Sequence, residues 1–206
     1  MKKRIVSITA CAVLTTSLVC VSFAQVQQET PTASVQGNVP AQSQASQAML
    51  PAVHALVLSM TENDLDFNPE DPQFLWTSLY YMLGLYGEYD QRAELTDESL
   101  ILPTEVIQDY AAALYPDVSV LPEIPAPISE RITYQSANDS YYLARGDAGL
   151  AEITVQSITT QSDGSEFMVG DLTYVVDGSA LVSFEATLTP SDSMFGYILT
   201  DLTISD

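Results

Sequence analysis

The chain has 206 residues and carries 27 Asp and Glu against six Lys and Arg, a formal charge of −21. Half of the bases (Lys2, Lys3, Arg4) and both cysteines (Cys11, Cys20) lie in the first 20 residues; the 182 residues after Ala24 hold every acid, three arginines (Arg92, Arg131, Arg145), no lysine and no cysteine, a charge of −24. This balance excludes a nucleic-acid binder, which needs a basic patch to displace counterions, a polybasic membrane-surface module, a disulfide scaffold, and any cysteine-ligated metal or cysteine nucleophile.

Lys2-Lys3-Arg4 precedes an apolar run from Ile5 to Val21, and Ser22-Phe23-Ala24 sets small residues three and one positions before a cut. That layout predicts a secretory signal peptide over residues 1–24, cleaved after Ala24, and a secreted or cell-envelope location. Two other fates stay open. One is an uncleaved anchor, against which five Ser and Thr in the run weigh; the other is lipidation at Cys11 or Cys20, whose flanks depart from a lipobox. Residues 25–48 are rich in Gln, Ser, Ala and Pro, with Glu29 the one charge and no apolar period. Such a segment buries too little surface to offset its ordering entropy, so it reads as a disordered spacer.

A single α+β domain is expected over 49–206. Pro51 suits a first helical turn, and Val53, Leu56, Val57 and Met60 share one face of a short helix over 51–60. Asp71-Pro72 opens a stronger helix over 72–86 that stops at Gly87. It is apolar nearly all round, which predicts burial. A third helix spans 103–115 between Pro103 and Pro116, with Val106, Ile107, Tyr110, Ala111 and Leu114 inward. Four prolines in 116–128 predict an extended connector.

From Glu130 to Ile204 the period changes to two. Strands are expected at 131–134, 141–144, 150–160, 166–176, 179–188 and 194–204, linked as hairpins. Asp177-Gly178 is a two-residue turn signal, and Gly170 suggests a bulge. The result is two or three N-terminal helices packed on a curved antiparallel six-stranded meander. This order, over roughly 70–206, resembles the cone-shaped fold of the nuclear-transport-factor and ketosteroid-isomerase type. The phrases Phe74-Leu75-Trp76-Thr77-Ser78-Leu79-Tyr80-Tyr81-Met82-Leu83-Gly84-Leu85-Tyr86-Gly87 and Tyr110-Ala111-Ala112-Ala113-Leu114 are similar to those of exported proteins of Gram-positive anaerobic bacteria. That resemblance brings no activity with it.

Chemistry-bearing residues are sparse. His54 is the single histidine and reads as exposed or hydrogen-bonded locally. Asp64-Leu65-Asp66-Phe67-Asn68 matches the first three ligand positions of a calcium loop, but Pro69 and Leu75 stand where Gly and a bidentate Glu belong. Asp171, beside Gly170, is the most suggestive carboxylate for acid–base work, with Trp76, Tyr80, Tyr86 and Tyr110 as cavity lining; the plainer reading puts Asp171 on the exposed face and the aromatics in the core. Neither G-x-S-x-G nor G-x-G-x-x-G occurs. Leu181, Tyr197 and Leu199 suggest a partly apolar outer sheet face. The sequence therefore nominates no catalytic, cofactor-binding or metal-binding residue. It reads as a non-catalytic binding or interaction module for a protein or small molecule. The alternatives are a small lyase, isomerase or hydrolase with a pocket carboxylate, and a weak calcium-binding envelope module.

Overall fold

The computed structural model describes residues 44–116, 118, 120–146 and 149–205, with side chains described from residue 47 onward. The expected export segment and the spacer up to residue 43 lie outside the described residues. Among the described residues three α-helices, α1 (Gln44–Asn63), α2 (Pro72–Tyr86) and α3 (Thr104–Leu114), accompany eight strands in an α+β fold. The first sheet contains β1 (Glu94–Leu95), β2 (Ser99–Pro103), β3 (Ile132–Gln135) and β4 (Ser140–Ala144) in the order β1-β2-β4-β3. The second is a meander of β5 (Ala151–Thr160), β6 (Glu166–Tyr174), β7 (Ala180–Pro190) and β8 (Tyr197–Ser205).

The expected single six-stranded meander is thus corrected to two antiparallel sheets of four. The reason is that the edge of β4 away from β3 is taken by β2, with Leu100 paired to Leu143 and Leu102 to Tyr141. No edge is left there for β5. The strand signal of β2 is Ser99-Leu100-Ile101-Leu102-Pro103, whose Leu100 and Leu102 are buried.

Helix α2 has the expected bounds. Asp71 Oδ1 accepts the Gln73 N–H at 3.0 Å, and Pro72 sits where its missing donor is harmless. Helix α1 is longer than the expected 51–60 and begins inside the segment read as spacer. Pro51 is inside it rather than in its first turn. The missing N–H leaves the Gln47 carbonyl without a helical donor, and Gln47 is exposed, so water can serve it. Further along, Ala52, Val53 and the run Ala55 to Met60 are all buried. This helix is the centre of the core, packed between α2 and the inner face of β5–β8.

That inner face presents Met168, Leu172, Val182, Phe184, Ala186, Leu188, Leu199 and Leu202. Gly170 lies within a continuous β6; the register shift falls on the neighbouring β5, between Val155 and Ser157. A side chain at Gly170 would stand 2.5 Å from the Thr154 carbonyl and 2.8 Å from the Phe184 ring, so glycine is needed for close approach. A further register shift, where Thr187 and Leu188 of β7 pair with Asp201 and Leu199 of β8, turns Leu199 into the core. The turn at Asp177-Gly178 is a five-residue connection, 175–179, not a two-residue one: Gly178 N–H bonds the Tyr174 carbonyl at 2.8 Å, and Asp177 Oδ1 accepts the Ser179 N–H at 3.0 Å.

Candidate functional site

The β3–β4 hairpin brings two arginines to the wall of one pocket. Ile132 pairs with Leu143, so Arg131, one residue before β3, lies opposite Ala144 and beside Arg145; its carbonyl accepts the Ala144 N–H at 2.8 Å. A pocket of about 470 Å³ opens there, between this hairpin end, the outer side of α2 and the C-terminal half of α1. Helix α2 contributes Tyr80, Tyr81, Gly84 and Leu85, and α1 contributes Leu58 and Glu62.

The hydrogen bonds inside the pocket fix its chemistry. Tyr80 donates its hydroxyl to the Ala144 carbonyl at 3.0 Å. Tyr81 donates to Glu62 Oε2 at 2.5 Å and accepts from Asn63 Nδ2 at 3.2 Å. Burial, and then the bond to the Glu62 carboxylate, push the Tyr81 phenol up to about 12. Both phenolic protons are therefore engaged by protein acceptors. The guanidinium of Arg131 stands 5.5 Å from the Tyr80 ring centre, a cation–π contact. Arg145 is held more loosely, with Nη1 3.3 Å from the Thr96 carbonyl.

Charge sets this pocket apart. Arg92 is doubly paired, with Asp90 at 2.9 Å and Asp109 at 2.6 Å. Arg131 and Arg145 are exposed, yet no described carboxylate forms an ion pair with either. In a chain with 27 acids, two arginines that line one pocket without carboxylate partners are the available donors. Gly84 adds a further feature: no atom lies within 4 Å of where its Cβ would be. The fold does not require a glycine there, and glycine within a helix is unfavourable by about 1 kcal/mol.

The residues singled out in the sequence go elsewhere. His54 is half-buried and its bonds are not local: Nδ1 is 2.7 Å from Tyr86 Oη and Nε2 is 2.9 Å from the Ala151 carbonyl. A carbonyl only accepts, so Nε2 carries the proton and Tyr86 donates to Nδ1. Burial lowers the His54 pKa, consistent with the neutral ring. Asp171 lies on the sheet face away from the core, taking bonds from Gln156 at 2.5 Å and Ser183 at 2.8 Å. Asp64 has φ of 51° and closes α1, with the Leu65 N–H bonding the Met60 carbonyl at 3.1 Å. Trp76 is buried and donates to the Pro122 carbonyl at 3.1 Å, which clamps the proline-rich connector. Tyr110 packs edge-on against Phe195. The apolar outer patch is corrected: Leu199 is in the core, which leaves Leu181 and a half-buried Tyr197.

Among the described residues no group of three or more His, Cys, Asp or Glu is placed to hold a metal, and no helix is long and apolar enough to cross a membrane. The pocket's own residues, Arg131, Arg145, Glu62 and Tyr81, escaped the sequence reading. For the two arginines the signal was the symmetry of the hairpin about residues 136–139, which sets residue 131 against 144. No family model matches the chain, and no curated protein or solved structure matches it.

Proposed function

We propose that the chain is an exported, non-catalytic binding module that holds a small organic anion with an apolar body in the pocket beside Arg131 and Arg145. The observation that carries this reading is the pair of guanidiniums without carboxylate partners at an aromatic-lined pocket, in a strongly acidic chain. Guanidinium groups bind carboxylates through charge-assisted, often bidentate hydrogen bonds. The rings of Tyr80 and Tyr81 and the side chains of Leu58 and Leu85 offer apolar cover to the rest of the ligand. The volume, about 470 Å³, suits a small molecule. The engaged phenols support adhesion rather than proton transfer.

Thermal unfolding with 3-phenylpropionate and with its uncharged amide tests this. Ligand that binds only the folded state raises the midpoint with concentration. The acid is expected to do so and the amide is not. Equal effects, or none, contradict the proposal.

A further inference from the structure

We infer that the ligand is a zwitterion of the α-amino-acid type with an apolar side chain, its carboxylate on Arg131 and Arg145 and its ammonium on Glu62. This rests on the binding reading above and names the ligand class for that pocket.

Three observations converge on it. First, the pocket wall carries a carboxylate as well as the two cations, and Glu62 is not ion-paired with either arginine. Its position is fixed, because Tyr81 donates to Oε2 at 2.5 Å, while Oε1 takes no hydrogen bond from a described residue. An oriented carboxylate with a free oxygen, lining the same pocket as two arginines, is complementary to a molecule bearing both signs. Second, the phenol protons of Tyr80 and Tyr81 are engaged, so neither phenol competes with the arginines for the ligand's carboxylate. Third, the charge of the chain decides between a plain anion and a zwitterion. A monoanion approaches against the field of a chain with a net charge of −21. A zwitterion has no net charge, meets no such long-range barrier, and aligns its dipole between Glu62 and the arginines. The open space above Gly84 and the apolar side chains of Leu58 and Leu85 leave room for an apolar side chain.

Calorimetric titration at pH 7 with L-phenylalanine, 3-phenylpropionate and L-phenylalaninamide separates the terms, on the native chain and on Glu62→Gln. Gln keeps an oxygen for the Tyr81 hydroxyl, and 3-phenylpropionate reports whether the pocket is intact. One charge-assisted contact corresponds to about tenfold or more in affinity. L-Phenylalanine is therefore expected to bind the native chain at least about tenfold tighter than either analogue. Glu62→Gln is expected to erase that advantage over 3-phenylpropionate without weakening 3-phenylpropionate itself. Equal binding of L-phenylalanine and 3-phenylpropionate to the native chain overturns the zwitterion and leaves the anion pocket standing. Loss of both ligands in Glu62→Gln also overturns it, since Glu62 then only shapes the pocket. If none of the three binds, the pocket reading falls and this inference falls with it.

Discussion

His54 Nε2 meets the carbonyl oxygen of Ala151 at 2.9 Å across 97 residues of sequence, tying the central helix to the first strand of the second sheet. The same ring takes the Tyr86 hydroxyl at 2.7 Å and so also holds the end of α2. Burial is the largest influence on His54 and lowers its pKa below 6.5; the Ala151 bond and the Glu152 carboxylate oppose it in part. An unfolded chain takes up this proton near pH 6.5 while the folded chain resists it. Stability from this group is therefore complete above 6.5 and is lost as pH falls from there toward the folded pKa. Because His54 is the single histidine, His54→Phe is expected to flatten the dependence of unfolding free energy on pH between about 5 and 7. It should also cost about 1–3 kcal/mol at neutral pH through two lost hydrogen bonds. Urea unfolding at several pH values measures both.

Tyr115 is wholly buried and donates to Ser78 Oγ at 2.5 Å, and Ser78 in turn donates to the Leu75 carbonyl at 3.0 Å. Burial pushes the Tyr115 phenol well above its ordinary range, so the donor stays protonated. Tyr115→Phe removes one bond between the end of α3 and α2 but leaves Ser78 with its carbonyl partner. A loss of about 1 kcal/mol is expected in chemical denaturation. A double-mutant cycle with Ser78→Ala should show coupling between the two positions.

Gly170→Ala should be destabilising by about 1–3 kcal/mol, because the backbone carbonyl of Thr154, 2.5 Å from the new Cβ, cannot swing away as a side chain can. Denaturant midpoints check this.

Gly84→Ala predicts the opposite sign. With nothing within 4 Å of the added methyl, the helix gains up to about 1 kcal/mol. The methyl also narrows the pocket, so the melting point should rise while 3-phenylpropionate binds more weakly. A rise in stability with unchanged binding would place the ligand elsewhere.

The helices and most strands could be read from local pattern because their signals are local. Asp71-Pro72 and the strand alternation from Ala180 to Leu188 need no tertiary information. The early start of α1 was hidden because Gln44 to Ala48 has no apolar period, and its helicity continues from the buried helix that follows. The two-sheet arrangement was hidden because β2 and β4 lie some 40 residues apart, across α3, and no local pattern specifies which edge a strand joins. Leu199 was misplaced by a bulge: one extra residue in β8 reverses which side chains face inward. The pocket depends on such long-range pairings: Glu62 lies beyond the helix expected over 51–60, and Tyr81 lies in a helix whose apolar pattern predicts burial nearly all round. Arg131 and Arg145 alone were within reach of hairpin register.

The most direct measurement is calorimetric titration of 3-phenylpropionate into the double variant Arg131→Gln/Arg145→Gln and into Arg92→Gln, beside the native chain. Arg92 is already neutralised by Asp90 and Asp109, so its loss should leave binding unchanged, whereas the double variant should lose it by about tenfold or more. Undiminished binding to the double variant, or an equal loss in Arg92→Gln, would contradict the account.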